Sequence, residues 1–388
     1  MVINLHNIPN IYCNFSRFMI FSYHQFLFFK DMLKKFAYTL QDKKIFNQEL
    51  SSFLPQRIID IHVHLWKRNH IKSEKLVGEQ INQQPFLDQE IVDGFTYEDF
   101  NKIIKVLFPG KNYEGVFFGF PYRVGEIDKI NLMMKEEILK KEKDSFFIPR
   151  PKDDYDFLVK TIKKDGFLGL KPYPDLANDV DYTDQDTVCI SDFLTESHLK
   201  AANRFNMIIM LHIPKKRRLN DEKNIEEIRN ICSTFPNIKL VLAHAGRSYC
   251  PSDIKESIKK IKDLKNLYVD TSMVNERRVL ELLFENLNIE KIIFGSDLPV
   301  AGIKGKNICI NNKHYFVTSE KYPWSITGVN IKEEDLTFFI YEEIREILDV
   351  VLRLKGHKDI INKIFYKNAL NLLNDTKVKL GREQSGRI

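Results

Sequence analysis

Cysteine is scarce in this chain of 388 residues. The five cysteines are scattered, odd in number and without a Cys-x-x-Cys pair; they are Cys13, Cys189, Cys232, Cys250 and Cys309. A disulfide framework needs paired cysteines and a zinc–thiolate site needs closely spaced ones, so the pattern predicts neither. A chain without disulfides is typical of a reducing compartment, which favours the cytoplasm.

Long apolar runs are also absent. The aromatic-rich segment Ile11 to Lys30 has Phe18–Phe29 as its longest uncharged run, which is shorter than the about 20 residues of a membrane-spanning helix. It has neither the basic start nor the small-residue cleavage site of a secretory signal. We therefore expect no membrane span and interpret residues 1–50 as an apolar helical extension, with a true start at Met32 as the alternative.

Positively charged residues are in only small excess over negatively charged ones. The 59 Lys and Arg residues nearly balance the 53 Asp and Glu residues, which leaves a formal net charge of +6. The densest basic run, Lys215-Lys216-Arg217-Arg218, follows a predicted strand and is interpreted as a solvated loop that would attract an anionic substrate. Since no Gly-rich phosphate motif follows a predicted strand, the sequence argues against nucleic-acid partners, dinucleotide cofactors and P-loop nucleotides.

Short apolar runs that alternate with helical patterns fill most of the chain. The hydrophobic fraction of 43% and the charged fraction of 29% are those of a soluble globular protein. The eight runs predicted as strands are Ile58–His62, Gly115–Phe118, Ser145–Pro149, Phe167–Lys171, Met207–His212, Ile238–Ala243, Leu267–Asp270 and Lys291–Ser296. The helical patterns are Asp128–Lys143, Tyr155–Lys163, Asp192–Phe205, Ile225–Thr234, Ser252–Leu264 and Asn275–Phe284. This alternation predicts an α/β fold, a distorted (β/α)8 TIM barrel.

The barrel is predicted as one domain over residues 51–375. An insertion at 77–109 follows the first strand, and a polar loop, Ala301–Ile331, follows the last. One or two long C-terminal helices, Glu333–Leu354 and Ile360–Leu373, would close the domain. Residues 376–388 would form a charged, frayed tail.

Polar side chains stand at the ends of several predicted strands, where the active sites of such barrels lie. They are His62 and His64 on the first strand, Lys171 on the fourth, His212 on the fifth, His244 on the sixth and Asp297 on the eighth. His62 and His64 share a strand face with Asp60, so the two imidazoles can bind one metal while Asp60 supports them. Each residue alone has an ordinary structural explanation, but the set together predicts a metal site.

The order of these motifs resembles the amidohydrolase superfamily. Asp60-Ile61-His62-Val63-His64, the later His212, His244 and Asp297, and the closing Asn368-Ala369-Leu370 are most similar to the amidohydrolase-2 branch, which includes aminocarboxymuconate-semialdehyde decarboxylase. The resemblance covers about Ile58 to Leu373. It implies a distorted (β/α)8 barrel with one divalent metal, usually zinc, at its mouth.

The resemblance also implies roles for individual residues. His62, His64, His212 and Asp297 would bind the metal, a donor set that suits Zn²⁺. His244 would stay unligated, and His244 and Asp297 would handle the proton of the attacking water as the catalytic residues. Lys171 would contact the substrate or support a single-metal site, with a carboxylated lysine bridging two metals as the alternative.

The substrate is predicted less sharply. Arg123 and Arg150 would lie at the barrel mouth and grip a carboxylate, or would be ordinary surface arginines; Trp66 and Tyr173 would wall a ring-shaped ligand, or would be core. The sequence thus predicts a metal-dependent hydrolase acting on a small carboxylated amide or lactone. Decarboxylation on the same site, a metal-free lactonase and a catalytically silent metabolite-binding barrel are the alternatives, and a homo-oligomer is possible.

Overall fold

The computed structural model describes residues 38–72, 94–177, 186–319, 322, 325–326 and 335–384. Its strands are β1 Arg57–His64, β2 Trp66–Lys67, β3 Gly94–Phe95, β4 Asn112–Phe118, β5 Phe146–Phe147, β6 Gly169–Leu170, β7 Ile208–Leu211, β8 Lys239–Leu242, β9 Leu267–Asp270, β10 Ile292–Ile293, β11 Gly305–Ile310, β12 Lys313–Thr318 and β13 Ser325–Ile326. Its α-helices are α1 Leu40–Ile45, α2 Tyr97–Leu107, α3 Ile127–Met133, α4 Tyr155–Asp165, α5 Glu196–Arg204, α6 Glu222–Thr234, α7 Pro251–Ile254, α8 Ser257–Ile261, α9 Arg277–Asn286, α10 Phe339–Val351, α11 His357–Asn362 and α12 Asn368–Gln384. The apolar N-terminal segment with the Met32 start and the first part of the predicted insertion lie outside the described residues.

All eight predicted barrel strands are present, as β1 and β4 to β10. β1 and β4 form one parallel pair, and β5 to β10 form a six-stranded sheet in chain order, paired in parallel throughout. Parallel bridges between Phe117 and Ser145 and between Val63 and Leu298 join the two sheets at both edges. The strands therefore close into a distorted (β/α)8 barrel, and the predicted fold class is confirmed.

The central strands are apolar because both of their faces are covered. Every residue of β7 and β8 is buried, including the aliphatic part of Lys239, as expected for parallel strands between a barrel interior and an outer ring of helices. β6 needs a glycine: a Cβ on Gly169 would stand 2.7 Å from the carbonyl oxygen of Ile208. A larger residue at this position of β6 would therefore clash with the neighbouring strand β7.

The predicted helices are present with different bounds, and α2 lies in the segment that was predicted as an insertion. α5 begins at Glu196 rather than near Ser191, because the hydroxyl and the amide of Ser191 bind Glu227 instead of starting the helix. The pattern Ser252–Leu264 forms two short helices, α7 and α8. α12 continues to Gln384, so the end predicted at Leu373 is wrong and most of the predicted tail is helical.

The segment predicted as a polar loop after the last strand contains a β-hairpin instead. β11 and β12 pair in antiparallel fashion, and β13 adds to β12 in parallel. The hairpin turns at Asn311 and Asn312, both of which have the positive φ (52° and 63°) that asparagine tolerates. Its strands are only partly buried, so they lack the continuous apolar runs that revealed the barrel strands.

The hairpin is covalently tied to the loop after β8. Cys250 and Cys309 form a disulfide across a sequence separation of 59, with their Cα atoms 5.4 Å apart. The expectation of unpaired cysteines is therefore wrong for this pair, because the fold brings together two positions whose spacing along the chain gives no such signal. Cys189 and Cys232 are free thiols.

The described end of the N-terminal extension is helical and docks on the barrel. Thr39 caps α1 by accepting from the amide of Asp42, and the buried Asp42 carboxylate lies 2.9 Å from Lys304 Nζ. No helix in the described part of the chain is long and apolar enough to cross a lipid bilayer. A homo-oligomeric state stays a prediction from the sequence. The cytoplasmic location also stays a prediction, but the Cys250–Cys309 disulfide removes the reason given for it.

Candidate metal centre

The ends of the barrel strands bring the predicted site residues into one cavity. The side chains of His62, His64, Lys171, His212, His244 and Asp297 all line it. Aromatic and aliphatic side chains complete its wall: Trp66, Phe120, Tyr122, Tyr173, Pro299 and Val300. Sequence reasoning thus placed the polar residues and two of the aromatic ones, Trp66 and Tyr173, in the same place as the structure does.

Asp297 lies at the centre of the histidines. Its Oδ1 atom is 3.3 Å from His62 Nε2 and 3.3 Å from His64 Nε2, and its Oδ2 atom is 4.0 Å from His244 Nε2. Ligand atoms of His62, His244 and Asp297 all lie within 4.8 Å of one another. His212 lies beside this group, with its ring centroid 5.3 Å from that of His244 and 4.9 Å from that of Tyr173.

The hydrogen bonds of three imidazoles fix their orientation. His64 Nδ1 lies 3.1 Å from the carbonyl oxygen of Gly119, and His244 Nδ1 lies 3.1 Å from that of Ser272. A carbonyl only accepts, so each Nδ1 carries the proton and donates it. His62 Nδ1 donates in the same way to Asp270 Oδ2, 2.8 Å away. The rings of His64 and His244 therefore present the lone pair of Nε2 to the side of Asp297, and His62 Nε2 lies 3.3 Å from the same carboxylate, an arrangement that suits a cation.

Burial and charge favour the protonation states of a metal site. Burial above all lowers the pKa of His64 and of His244, each to about 4, and lowers the pKa of His212 well below its usual range, so these rings are neutral. Burial and Lys171 lower the pKa of His62, but the Asp270 and Asp297 carboxylates outweigh them and raise it. The space between these two carboxylates thus favours a positive charge.

Asp270 and Ser272 belong to the site and were missed by the sequence analysis. Asp270 Oδ2 orients His62, while Oδ1 accepts from the His244 amide at 2.7 Å and from the Ser272 hydroxyl at 2.6 Å. Ser272 Oγ also lies 2.8 Å from His244 Nδ1. The signal was present, because Asp270 ends the seventh predicted strand and the same strand-end rule selects it.

Asp60 has a different role from the one predicted for it. It contacts no imidazole ring; its carboxylate accepts from the amide of His62 at 3.0 Å, from the amide of Ser296 at 2.9 Å and from the hydroxyl of Tyr113 at 2.7 Å. Burial raises the pKa of Asp60 to about 6, and these hydrogen bonds oppose that rise. Asp60 therefore joins β1 to the end of β10, and the task of orienting the ring falls to Asp270.

Lys171 is fully buried against the histidines. Its Nζ atom lies 3.1 Å from His62 Nε2 and 4.5 Å from the centroid of the Phe118 ring. Burial lowers the pKa of this amine to about 8. The side chain therefore reaches the reacting end of the cavity, as either of its predicted roles requires.

Arg123 and Arg150 do not reach this cavity. Both line a separate, wider one, where Arg123 donates to backbone oxygens of Asp175 and Ala177. Arg150 pairs with Asp128 at 2.8 Å and with Asp153 at 3.3 Å. The prediction that they grip substrate at the metal cavity is not supported by these positions, because the loops after β4 and β5 carry them outwards.

The donor set fits a divalent metal ion. Neutral imidazoles with carboxylate or carbonyl groups behind them, together with one buried carboxylate, are the ligands that such ions take from proteins. A barrel that gathers these donors at the carboxyl ends of its strands belongs to the class of metal-dependent barrel enzymes.

The chain belongs to the amidohydrolase-2 family, whose model, described as Amidohydrolase, matches residues 59–374. Members of this family are metal-dependent enzymes that act on small molecules. The predicted family is therefore confirmed. No curated protein matches the chain in sequence.

Solved structures with the same fold are distant in sequence. A probable 2-pyrone-4,6-dicarboxylic acid hydrolase from Acinetobacter baumannii has a TM-score of 0.50 and 15% identity, over 82% of this chain and 99% of that chain. A 4-oxalomesaconate hydratase from Rhodopseudomonas palustris has a TM-score of 0.49 and 15% identity, over 85% and 100%. A 5-carboxyvanillate decarboxylase from Sphingomonas paucimobilis has a TM-score of 0.47 and 12% identity, over 82% and 99%. At these identities the similarity shows the fold alone.

Proposed function

We propose that this protein is a metal-dependent hydrolase that opens a small carboxylated amide or lactone. One observation carries the proposal: the Nε2 atoms of two predicted ligands, His62 and His64, lie 3.3 Å from a single buried carboxylate, Asp297, and that of the predicted base, His244, lies 4.0 Å from it. Lone pairs that face a carboxylate in a buried cavity repel one another unless a cation lies between them. The family membership points the same way.

We assign the metal to His62, His64, His212 and Asp297, with Zn²⁺ as the expected ion. When bound, such an ion supplies Lewis acidity, which activates water and polarises a carbonyl group. Asp270 holds His62 in the ligating tautomer, and the Gly119 carbonyl does the same for His64.

His244 is assigned the transfer of the water proton. Ser272 fixes its Nδ1–H, so Nε2 accepts a proton on the cavity side, 4.0 Å from Asp297 Oδ2. Asp297 is the second acceptor. The ligand atoms of His244, His62 and Asp297 also lie within 4.8 Å of one another, so the metal content of a His244 variant distinguishes a base from a ligand.

The cavity wall suits a planar substrate. The hydroxyls of Tyr122 and Tyr173 lie 2.8 Å apart, and the rings of Trp66 and Phe120 pack with centroids 5.3 Å apart. Such a wall stacks on a flat ring and offers phenolic oxygens to its edge. A cyclic lactone or an unsaturated acid meets both conditions.

The test is a screen of metal-loaded protein against lactones, amides and unsaturated carboxylates, with product acid and released CO₂ measured together. We expect acid formation with no CO₂; release of CO₂ would instead establish the decarboxylase.

His244→Gln should lower kcat by about 10²–10⁴-fold while the bound metal stays, since it removes a general base and no ligand. His357→Gln, at the start of α11, is the matched control and should change neither. Loss of metal in His244→Gln would show His244 to be a ligand.

A further inference from the structure

A second group of polar side chains lies next to the metal cavity, around Tyr249. The Tyr249 ring centroid is 6.3 Å from that of His244 and 5.0 Å from that of His314. The guanidinium carbon of Arg218 lies 5.2 Å from the Tyr249 ring centroid. Tyr249 thus connects the loop after β8 with the hairpin and with the basic run that follows β7.

Positive charge at this place exceeds negative charge. Arg218 pairs with Asp253, with Nη1 3.2 Å from Oδ2. Arg247 has no carboxylate partner among the described residues; its Nη1 donates to the carbonyl oxygens of Ile213 at 3.2 Å and of Lys215 at 3.3 Å. The Asp253 carboxylate therefore pairs with only one of the two guanidinium groups. Burial lowers the pKa of Arg218, and the nearby Arg247 lowers it further.

Several donors here have no acceptor. Arg218 Nε and Ser248 Oγ are buried and without a hydrogen-bond partner in the described part of the chain. The Nε–Nη2 edge of Arg247 likewise has no partner among those residues, since its hydrogen bonds use Nη1 alone. A buried donor without an acceptor is costly, and the free edge of a guanidinium is the one that binds an oxyanion through two hydrogen bonds.

The hairpin holds this group in place. His314 Nδ1 lies 2.9 Å from Arg218 Nη2, and His314 is the cross-strand partner of Cys309, which the disulfide ties to Cys250. Burial first, and then Arg218 and Arg247, lower the pKa of His314 to about 3. His314 is therefore neutral and accepts from Arg218, so it adds no negative charge of its own.

The group lies beside the metal cavity. Arg247 belongs to the turn that starts at His244, and all four residues of this turn have positive φ, between 50° and 69°. Its guanidinium binds the carbonyl of Ile213, the residue directly after His212. An anionic group bound at Arg247 would therefore lie near His212 and His244.

We propose that Arg218, Arg247 and Ser248 form an oxyanion-binding subsite that takes the carboxylate of the substrate. The assignment of the bound carboxylate to the substrate rests on the proposed function. The subsite itself rests on the unpartnered donors. A carboxylate and a phosphate share the chemistry of an oxyanion, so the two are separated by experiment.

The test measures binding of succinate and of inorganic phosphate to the full metal-loaded chain by calorimetry. We expect one succinate per chain, bound more tightly than phosphate and more weakly as salt rises. Arg247→Gln and Arg218→Lys should each weaken succinate binding by about tenfold or more. Arg218→Lys keeps the charge beside Asp253 and removes the Nε–H, so it retains the fold. Arg229→Gln, whose guanidinium pairs with Asp263 on the exposed side of α6, is the matched control and should bind as the parent protein does.

Three results would overturn the subsite or its assignment. Absence of succinate and phosphate binding, or equal binding by all variants, would remove the subsite. Tighter binding of phosphate than of succinate would refute the carboxylate assignment. Measuring the metal content tells a failure of the subsite from a failure of the proposed function. If the subsite exists, Arg247→Gln should contain as much metal as the parent protein. Asp297→Asn should still bind succinate. A protein that binds succinate but no metal would keep the subsite and lose the hydrolase.

Discussion

His62 Nδ1 lies 2.8 Å from Asp270 Oδ2, and both side chains are fully buried. The same carboxylate binds the amide of His244 through its other oxygen. One residue at the end of β9 thus fixes a predicted ligand and a predicted base at the same time. Disturbing Asp270 should therefore affect metal binding without removing a ligand.

We predict that Asp270→Asn weakens metal affinity by about 10–100-fold, because an amide replaces the carboxylate that makes His62 a stronger ligand. A titration with a competing chelator measures the effect. Asp263→Asn, on the exposed surface, should leave the affinity unchanged. Equal affinity in Asp270→Asn and the parent protein would show that this hydrogen bond does not support a metal ligand.

Lys171 distinguishes a single-metal site from a two-metal one. Its Nζ atom is 3.1 Å from His62 Nε2 and belongs to an amine whose pKa burial lowers to about 8. We predict that Lys171→Gln keeps the same number of metal ions per chain as the parent protein, as measured by elemental analysis. A fall from two ions to one would support a carboxylated lysine that bridges two metals.

The disulfide should stabilise the folded chain, because it closes a long loop in the unfolded state. Replacing both Cys250 and Cys309 with serine should lower the free energy of unfolding by about 2–4 kcal/mol in urea titrations. Cys189→Ser is the control and should unfold at the same urea concentration as the parent. Alkylation of both Cys250 and Cys309 in unfolded, unreduced protein would contradict the pairing.

His314 should make stability depend on pH. Its pKa is lowered to about 3 in the folded state, against about 6.5 for an ordinary histidine, so the unfolded chain binds the extra proton first. The contribution of neutral His314 to the free energy of unfolding is complete above about pH 6.5 and is lost as the pH falls towards about 3. The free energy of unfolding should therefore fall less between about pH 7.5 and about pH 4.5 in His314→Gln than in the parent protein. Equal losses would show that His314 titrates normally.

The barrel and most of the site follow from local sequence patterns. Buried parallel strands such as β7 are continuous apolar runs, and the polar residues that end them, such as His212 and His244, are visible without any structure. Asp297 followed by the same rule. Asp270 was missed although it ends a correctly predicted strand, and Ser272 lies two residues beyond that strand end.

The features that sequence did not reveal depend on distant contacts. The Cys250–Cys309 bond joins a loop to a hairpin whose half-exposed strands look like a polar loop along the chain. Arg247 gains its importance from the turn after β8, which directs its guanidinium to the carbonyl of Ile213. In the sequence, Arg123 was an equally good candidate for binding a substrate carboxylate, but it lines a cavity other than the metal cavity.

We propose that Asp297 and the histidines around it hold a metal ion. Elemental analysis of the purified full chain, dialysed without chelator, measures this ion, with Asp297→Asn and the surface control Asp263→Asn measured alongside. We expect about one divalent ion per chain, zinc above all, in the parent and the control, and a large loss in Asp297→Asn. A parent protein that contains no metal and takes up none on titration, or an Asp297→Asn variant that binds metal as the parent does, would contradict it.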